Sequence, residues 1–130
     1  MIARRRILLA DDHALVRAGI RALLESLPRV VVVGETGDGL EAVELVRRDP
    51  PDAILLDITL PGLNGLEAAA RITRLDVPTR VLMLSMHASA EYAARAFAAG
   101  ASGYLNKDSA FDELATALDQ VCAGRRYLCR

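Results

Sequence analysis

The stretch Ala53-Ile54-Leu55-Leu56-Asp57 settles the architecture: four consecutive apolar residues closed by a carboxylate. A strand with one wet face alternates apolar and polar residues, whereas an unbroken apolar run marks a strand covered on both faces. Ile7–Ala10, Val30–Val33 and Val81–Leu84 have the same character, and Ser102–Leu105 reads as a fifth strand. The segments between them carry helical spacing. His13–Leu27 places Leu15, Val16, Ile20, Leu23, Leu24 and Leu27 along one side, and Asp38–Arg48 does the same with Leu40, Val43 and Val46. Leu66–Leu75 and the Ala-rich Ala90–Ala99, ended by Gly100, read as helices. Ser109–Ala123 reads as a last helix, with Ser109 as its N-cap and Gly124 as its stop. The strands recur about every 25 residues, the size of a strand–helix crossover unit. Five such units predict a doubly wound α/β domain with a five-stranded parallel sheet.

The 130 residues suit one domain with a single continuous core. The chain is 52% hydrophobic and 25% charged with a net charge of -1, which excludes a disordered segment. It also argues against direct contact with nucleic acid, because no basic excess is available to neutralise phosphates. Arg4-Arg5-Arg6 precedes an apolar run, but Ile7–Ala10 is too short for a secretory signal and is ended by two aspartates. No run is long enough to cross a membrane, so the expectation is a cytoplasmic protein. Cys122 and Cys129 lack the companions a metal site needs and read as buried or tail thiols.

In open α/β sheets, ligands gather beyond the carboxyl ends of the strands. The first strand ends in Asp11-Asp12, the third in Asp57, the fourth in Ser85 and the fifth in Leu105-Asn106-Lys107. Lys107 is the only lysine beside 15 arginines, a position where a compact ammonium is kept over a planar fork. Three carboxylates at ~5 Å spacing repel by about 3 kcal/mol per pair, so a cation belongs among them. Oxygen donors of this kind suit Mg²⁺ rather than Zn²⁺. His13 is read as the start of the first helix, packing or capping there. The chemistry these groups allow is phosphoryl transfer to a carboxylate, with Asp57 as nucleophile.

Asp11-Asp12, Asp57-x-x-Leu60-Pro61-x-x-Asn64-Gly65, Ser85 and Tyr104-x-x-Lys107, in that order and spacing, resemble the receiver domain of a two-component response regulator over essentially the whole chain. Asp11-Asp12-His13 and Ala99-Gly100-Ala101-x-Gly103-Tyr104 further resemble the NarL/LuxR-type subfamily, whose members usually carry a helix-turn-helix DNA-binding domain after the receiver. The resemblance implies a flavodoxin-like sheet of order 2-1-3-4-5. It implies Asp57 as phosphoacceptor, and Asp12, Asp57 and the Thr59 backbone carbonyl as direct Mg²⁺ ligands. Asp11 would hold the ion through water, Lys107 and Ser85 would contact the phosphoryl group, and Ser85 with Tyr104 would form a switch pair. It further implies a sensor histidine kinase as phosphodonor, a homodimer on phosphorylation, and a regulatory phosphoacceptor rather than an enzyme acting on other molecules. Residues 1–124 are then the receiver, and residues 125–130 the start of a linker. Thr59 and His87 match the family's rate-setting positions. Asp108 follows Lys107 where many receivers carry Pro, and Ser85 stands where Thr is also common.

Two other classes compete. A flavodoxin-like binding domain needs a hydroxyl- and glycine-rich phosphate loop after the first strand, where Asp11-Asp12 stands instead. A haloacid-dehalogenase-like phosphatase needs an Asp-x-Asp pair, whereas Ile58-Thr59 follows Asp57. A receiver that has lost phosphorylation is a third alternative, opposed by the full set of matching residues.

Overall fold

The computed structural model describes residues 4–86 and 89–129; His87 lies outside them. Strands β1 (Arg5–Ala10), β2 (Val30–Thr36), β3 (Ala53–Asp57), β4 (Arg80–Ser85), β5 (Gly103–Asn106) and β6 (Tyr127–Cys129) form one sheet of order β2-β1-β3-β4-β5-β6. Every pairing is parallel. The expected order 2-1-3-4-5 is present, with one strand more than expected. Tyr127–Cys129, inside the segment read as a linker, extends the sheet along β5 with Tyr104 opposite Leu128.

Helices α1 (Ala14–Ser26) and α5 (Ala110–Cys122) cover one face, and α2 (Gly39–Arg48), α3 (Gly65–Arg74) and α4 (Ala90–Ala98) the other. This division explains the continuous apolar runs. Ile7 and Leu9 point to the α1/α5 layer, Leu8 and Ala10 to the α2/α3/α4 layer, and all four are buried. β3 is buried along its whole length. Fully burying one such aliphatic side chain stabilises by about 1.5–3 kcal/mol. No helix among the described residues is long and apolar enough to cross a membrane.

Local chemistry sets the helix starts. Asp38 accepts hydrogen bonds from the Leu40 and Glu41 amides, Asn64 from Glu67, and Ser89 from Tyr92. Ser109 does not act as the expected cap. It closes a 3₁₀ turn (Lys107–Ser109) and makes no side-chain cap bond, while Asn106 accepts from the Asp108 amide one turn earlier. Leu15 also departs from expectation, at 87% exposed. The buried arc of α1 is centred on Ile20 and Leu24, and at 100° per residue Leu15 falls outside it. Gly100 adopts φ +103 just past α4, where a Cβ would meet the Thr73 side chain at 2.1 Å.

Residues 125–129 also hold on to two helices. The Arg125 amide donates to the Gln120 carbonyl of α5, the Arg126 guanidinium lies 5.0 Å from the centre of the Phe97 ring on α4, and the Tyr127 hydroxyl donates to Glu113 on α5. Phe97 is half-buried at this edge.

Candidate functional site

The carboxyl ends of β1, β3 and β5 bring the predicted ionic residues into one cluster. Asp11 directly follows β1 with its side chain fully buried, Asp57 ends β3 at 1% exposure, and the Lys107 side chain, at 2%, enters from the turn after β5. Lys107 Nζ lies 2.9 Å from Asp57 Oδ2 and 2.9 Å from Asp11 Oδ2. The contact with Asp57 is an aligned hydrogen bond. The contact with Asp11 is an ion pair without that alignment, so buried Asp11 Oδ2 has no hydrogen-bond partner among the described residues. Asp12 stands at the mouth, half exposed.

Asp57 is held from both sides. Its Oδ1 accepts from the Thr59 amide at 3.1 Å and the Thr59 hydroxyl at 3.3 Å, and its Oδ2 accepts from Lys107. Gly65 makes this turn possible. The α3 N-terminus rests against β3 so closely that a Cβ at residue 65 would lie 2.1 Å from the Asp57 carbonyl oxygen. The Gly65 amide closes the loop by donating to the Ile58 carbonyl at 2.7 Å.

The two buried carboxylates differ electrostatically. For Asp57, burial pushes the pKa up; Lys107 and the Thr59 amide oppose this and Asp11 adds to it, leaving Asp57 above the usual carboxylate range. Burial also acts on Asp11. There the His13 amide, the Lys107 ammonium and the His13 ring together outweigh it and hold Asp11 below the usual range.

Ser85 ends β4 opposite Asn106 of β5, both buried. Tyr104, two residues before Asn106, is fully buried and packs with the α2/α3/α4 layer, so its ring already lies inward. The Lys107–Asp108 peptide is trans.

His13 departs from the sequence reading. It occupies the N-cap position of α1, but its side chain makes no cap bond. The ring turns into the acidic cluster, with Nδ1 at 3.1 Å from Asp11 Oδ1, 3.4 Å from Asp12 Oδ1, 3.4 Å from Asp57 Oδ2 and 3.1 Å from Lys107 Nζ. Arg17 was also missed. It donates to the Asp11 carbonyl at 2.8 Å and pairs with Glu35 at 3.1 Å, bracing the loop. The available signal was position: both follow the β1 carboxyl end, where this fold gathers ligands.

One donor atom each from Asp11, Asp12, His13 and Asp57 falls within a 4.8 Å cluster. Three carboxylates against one ammonium leave negative charge uncompensated, and a buried oxygen lacks a hydrogen bond. A divalent cation with a preference for oxygen fits this donor set. A cavity of about 390 Å³ opens at the opposite pole of the sheet, lined by Arg4, Arg5, Asp52, Pro78, Arg80 and Cys122. Burial pushes the thiol of half-buried Cys122 up.

The family model described as the response regulator receiver domain matches residues 7–119. Response regulator UvrY of Escherichia coli (strain K12) is 42% identical over 122 residues, covering 94% of this chain and 56% of that protein. The nitrate/nitrite response regulator protein NarL of the same strain is 38% identical over the same shares. Among solved structures, a LuxR-family two-component response regulator from Aurantimonas sp. SI85-9A1 superposes with a TM-score of 0.91 at 44% identity, covering 96% of this chain and 89% of that one. The response regulator domain of Thermotoga maritima CheB gives 0.85 at 33% identity, covering 92% and 97%. The chain spans just over half the length of the curated relatives it matches.

Proposed function

This chain belongs to the response regulator receiver domain family, as the receiver of a two-component regulator of the NarL/UvrY type, and we propose that Asp57 is its phosphoacceptor. The observation that carries this reading is the Asp57 carboxylate, buried but fixed at the sheet's carboxyl edge between Thr59 and Lys107.

Receiver domains are phosphorylated by sensor histidine kinases, and such a kinase is the partner proposed here. An Asp57 oxygen attacks phosphorus of the phosphohistidine, the P–N bond breaks, an acyl phosphate forms, and the departing imidazole nitrogen takes a proton. Lys107, released from Asp57 Oδ2, pairs with a phosphoryl oxygen, and the Ser85 hydroxyl donates to another. Receiver domains bind Mg²⁺ at an acidic pocket. Asp12, Asp57 and the Thr59 carbonyl would hold the ion directly and Asp11 through water, and it would neutralise charge on the transferring group.

Ser85 and Tyr104 form the proposed switch. The hydroxyl follows the new dianion, and the buried ring holds the matching arrangement of α4 and β5. The output is a changed α4–β5–α5 surface that pairs two copies and governs transcription through a DNA-binding partner domain. This chain, with net charge -1, touches no nucleic acid itself. The proposed receiver unit includes β6 (Tyr127–Cys129), which the sequence reading assigns to a linker, and the domain works in the cytoplasm as a regulatory phosphoacceptor.

The test is intact mass after incubation with Mg²⁺ and a small acyl-phosphate donor. The reading expects one added phosphoryl group, absent without Mg²⁺ and in Asp57→Asn. No gain on folded wild-type protein overturns it.

A further inference from the structure

Asn106 is a polar residue at a position that suits an apolar one. It closes β5, a strand buried at all four of its residues, and is itself 8% exposed. Burying an amide side chain costs free energy unless its polar atoms find partners. Here Oδ1 accepts from the Asp108 amide at 2.9 Å, one of the donors that the start of a 3₁₀ turn leaves without a carbonyl.

That bond sits between the two groups that would contact the phosphoryl oxygens. Across the ladder, Asn106 is the register partner of Ser85. Along the chain it precedes Lys107, and the turn it caps, Lys107–Ser109, carries that lysine. The turn is three residues long and Ser109 adds no side-chain cap bond to it. Asn106 Oδ1 therefore ties the front of the turn back to the end of β5. The lysine needs that definition. Its ammonium rides on a flexible four-carbon stem and stands 2.9 Å from Asp57 Oδ2 and 2.9 Å from Asp11 Oδ2. With two carboxylates equally near, the placement of the Lys107 backbone decides how far the ammonium reaches toward Asp57.

We propose that Asn106 is a positioning residue for phosphoryl transfer. By holding the Asp108 amide it fixes the turn that carries Lys107, and with it the reach of the ammonium to the phosphoryl group on Asp57. The inference rests on the reading of Asp57 as phosphoacceptor. The residues that would hold Mg²⁺ stand at the carboxyl ends of β1 and β3, so Asn106 acts on the transfer step and leaves the ion's affinity alone.

The experiment compares the full chain as wild type, Asn106→Leu, Asn106→Ser and Ser109→Ala. Leu keeps the branched shape of Asn without an acceptor, and Ser restores a short acceptor at the cap. Ser109→Ala perturbs the same turn at a side chain that makes no cap bond. Three quantities are read: the phosphorylation rate with a small acyl-phosphate donor at saturating Mg²⁺, Mg²⁺ affinity from amide shifts in magnetic resonance, and hydrogen exchange at the Asp108 amide. Asn106→Leu is expected to lower the rate about ten-fold or more, while Mg²⁺ affinity changes less than about two-fold. The Asp108 amide, protected in wild type, should exchange faster in this variant. Asn106→Ser should recover most of both, and Ser109→Ala should match wild type. Asn106→Ala, which adds no bulk, replaces the Leu variant should that one not fold. A wild-type rate without the acceptor, a loss that Ser does not recover, an equal loss in Ser109→Ala, or an unprotected Asp108 amide in wild type overturns the role of Asn106 alone. A folded wild type that takes no phosphoryl group overturns the reading of Asp57 and this inference with it.

Discussion

The buried ammonium of Lys107 stands 2.9 Å from Asp57 Oδ2. It lies equally close to Asp11, so one lysine holds two buried carboxylates together. Removing one partner of a buried ionic group strands the other charges. Lys107→Ala is expected to lose about 3–5 kcal/mol of stability in urea unfolding. Lys107→Arg should not restore phosphorylation, because a planar fork cannot take the place of a compact ammonium between two carboxylates.

Asp57 and Asp11 should respond to pH with opposite signs. The Asp57 pKa is raised on folding, so its contribution to stability is present below the unfolded pKa and is lost as pH rises through the folded value. Asp57→Asn is therefore expected to stabilise the metal-free domain at pH 7, with the gain vanishing in acid. The Asp11 pKa is lowered on folding, so its contribution is present above the unfolded pKa and is lost as pH falls through the folded value. Asp11→Asn is expected to destabilise at pH 7 and to converge with wild type in acid. Urea midpoints from pH 3 to pH 7 check both signs.

Gly65→Ala tests how the acceptor is positioned. The new Cβ would lie 2.1 Å from the Asp57 carbonyl oxygen, an unyielding backbone atom. The α3 N-terminus must retreat and the turn carrying Asp57 and Thr59 must move with it. A loss of about 1–3 kcal/mol is expected, as for overpacking, with slower phosphorylation of the fraction that remains folded. Wild-type stability and rate in this variant would contradict the close packing described here.

Tyr127→Ala tests the sixth strand. It removes the hydroxyl bond to Glu113 and the ring's packing on the α1/α5 layer. A loss of about 1–3 kcal/mol in thermal unfolding is expected, as for a half-buried aromatic truncated at an edge. Faster amide exchange along β5 should accompany it, since β6 covers that edge.

β1, β3 and β4 were legible because burial on both faces leaves continuous apolar runs; β2 carries such a run but is an edge strand with Val33 40% exposed, so its expected cover on both faces is not found. β6 was not legible. Three residues after Gly124 carry no periodicity, and their extended form is set by docking against β5. Asp11, Asp12, Asp57 and Lys107 were legible as strand-end residues of complementary charge. The direction of the His13 ring was not, because an N-cap residue can turn its side chain to the helix or away from it. The cap at Asn106 in place of Ser109 was hidden likewise by the 3₁₀ turn that separates β5 from α5.

The central claim is that phosphoryl transfer stops at one carboxylate. After Mg²⁺-dependent labelling, borohydride reduction converts an acyl phosphate to an alcohol. Cleavage at Arg48 and Arg71 then isolates residues 49–71, which hold Asp49, Asp52, Asp57 and Glu67. The account predicts reduction at Asp57 alone in tandem mass spectrometry; reduction at another carboxylate, or label retained in Asp57→Asn, would contradict it.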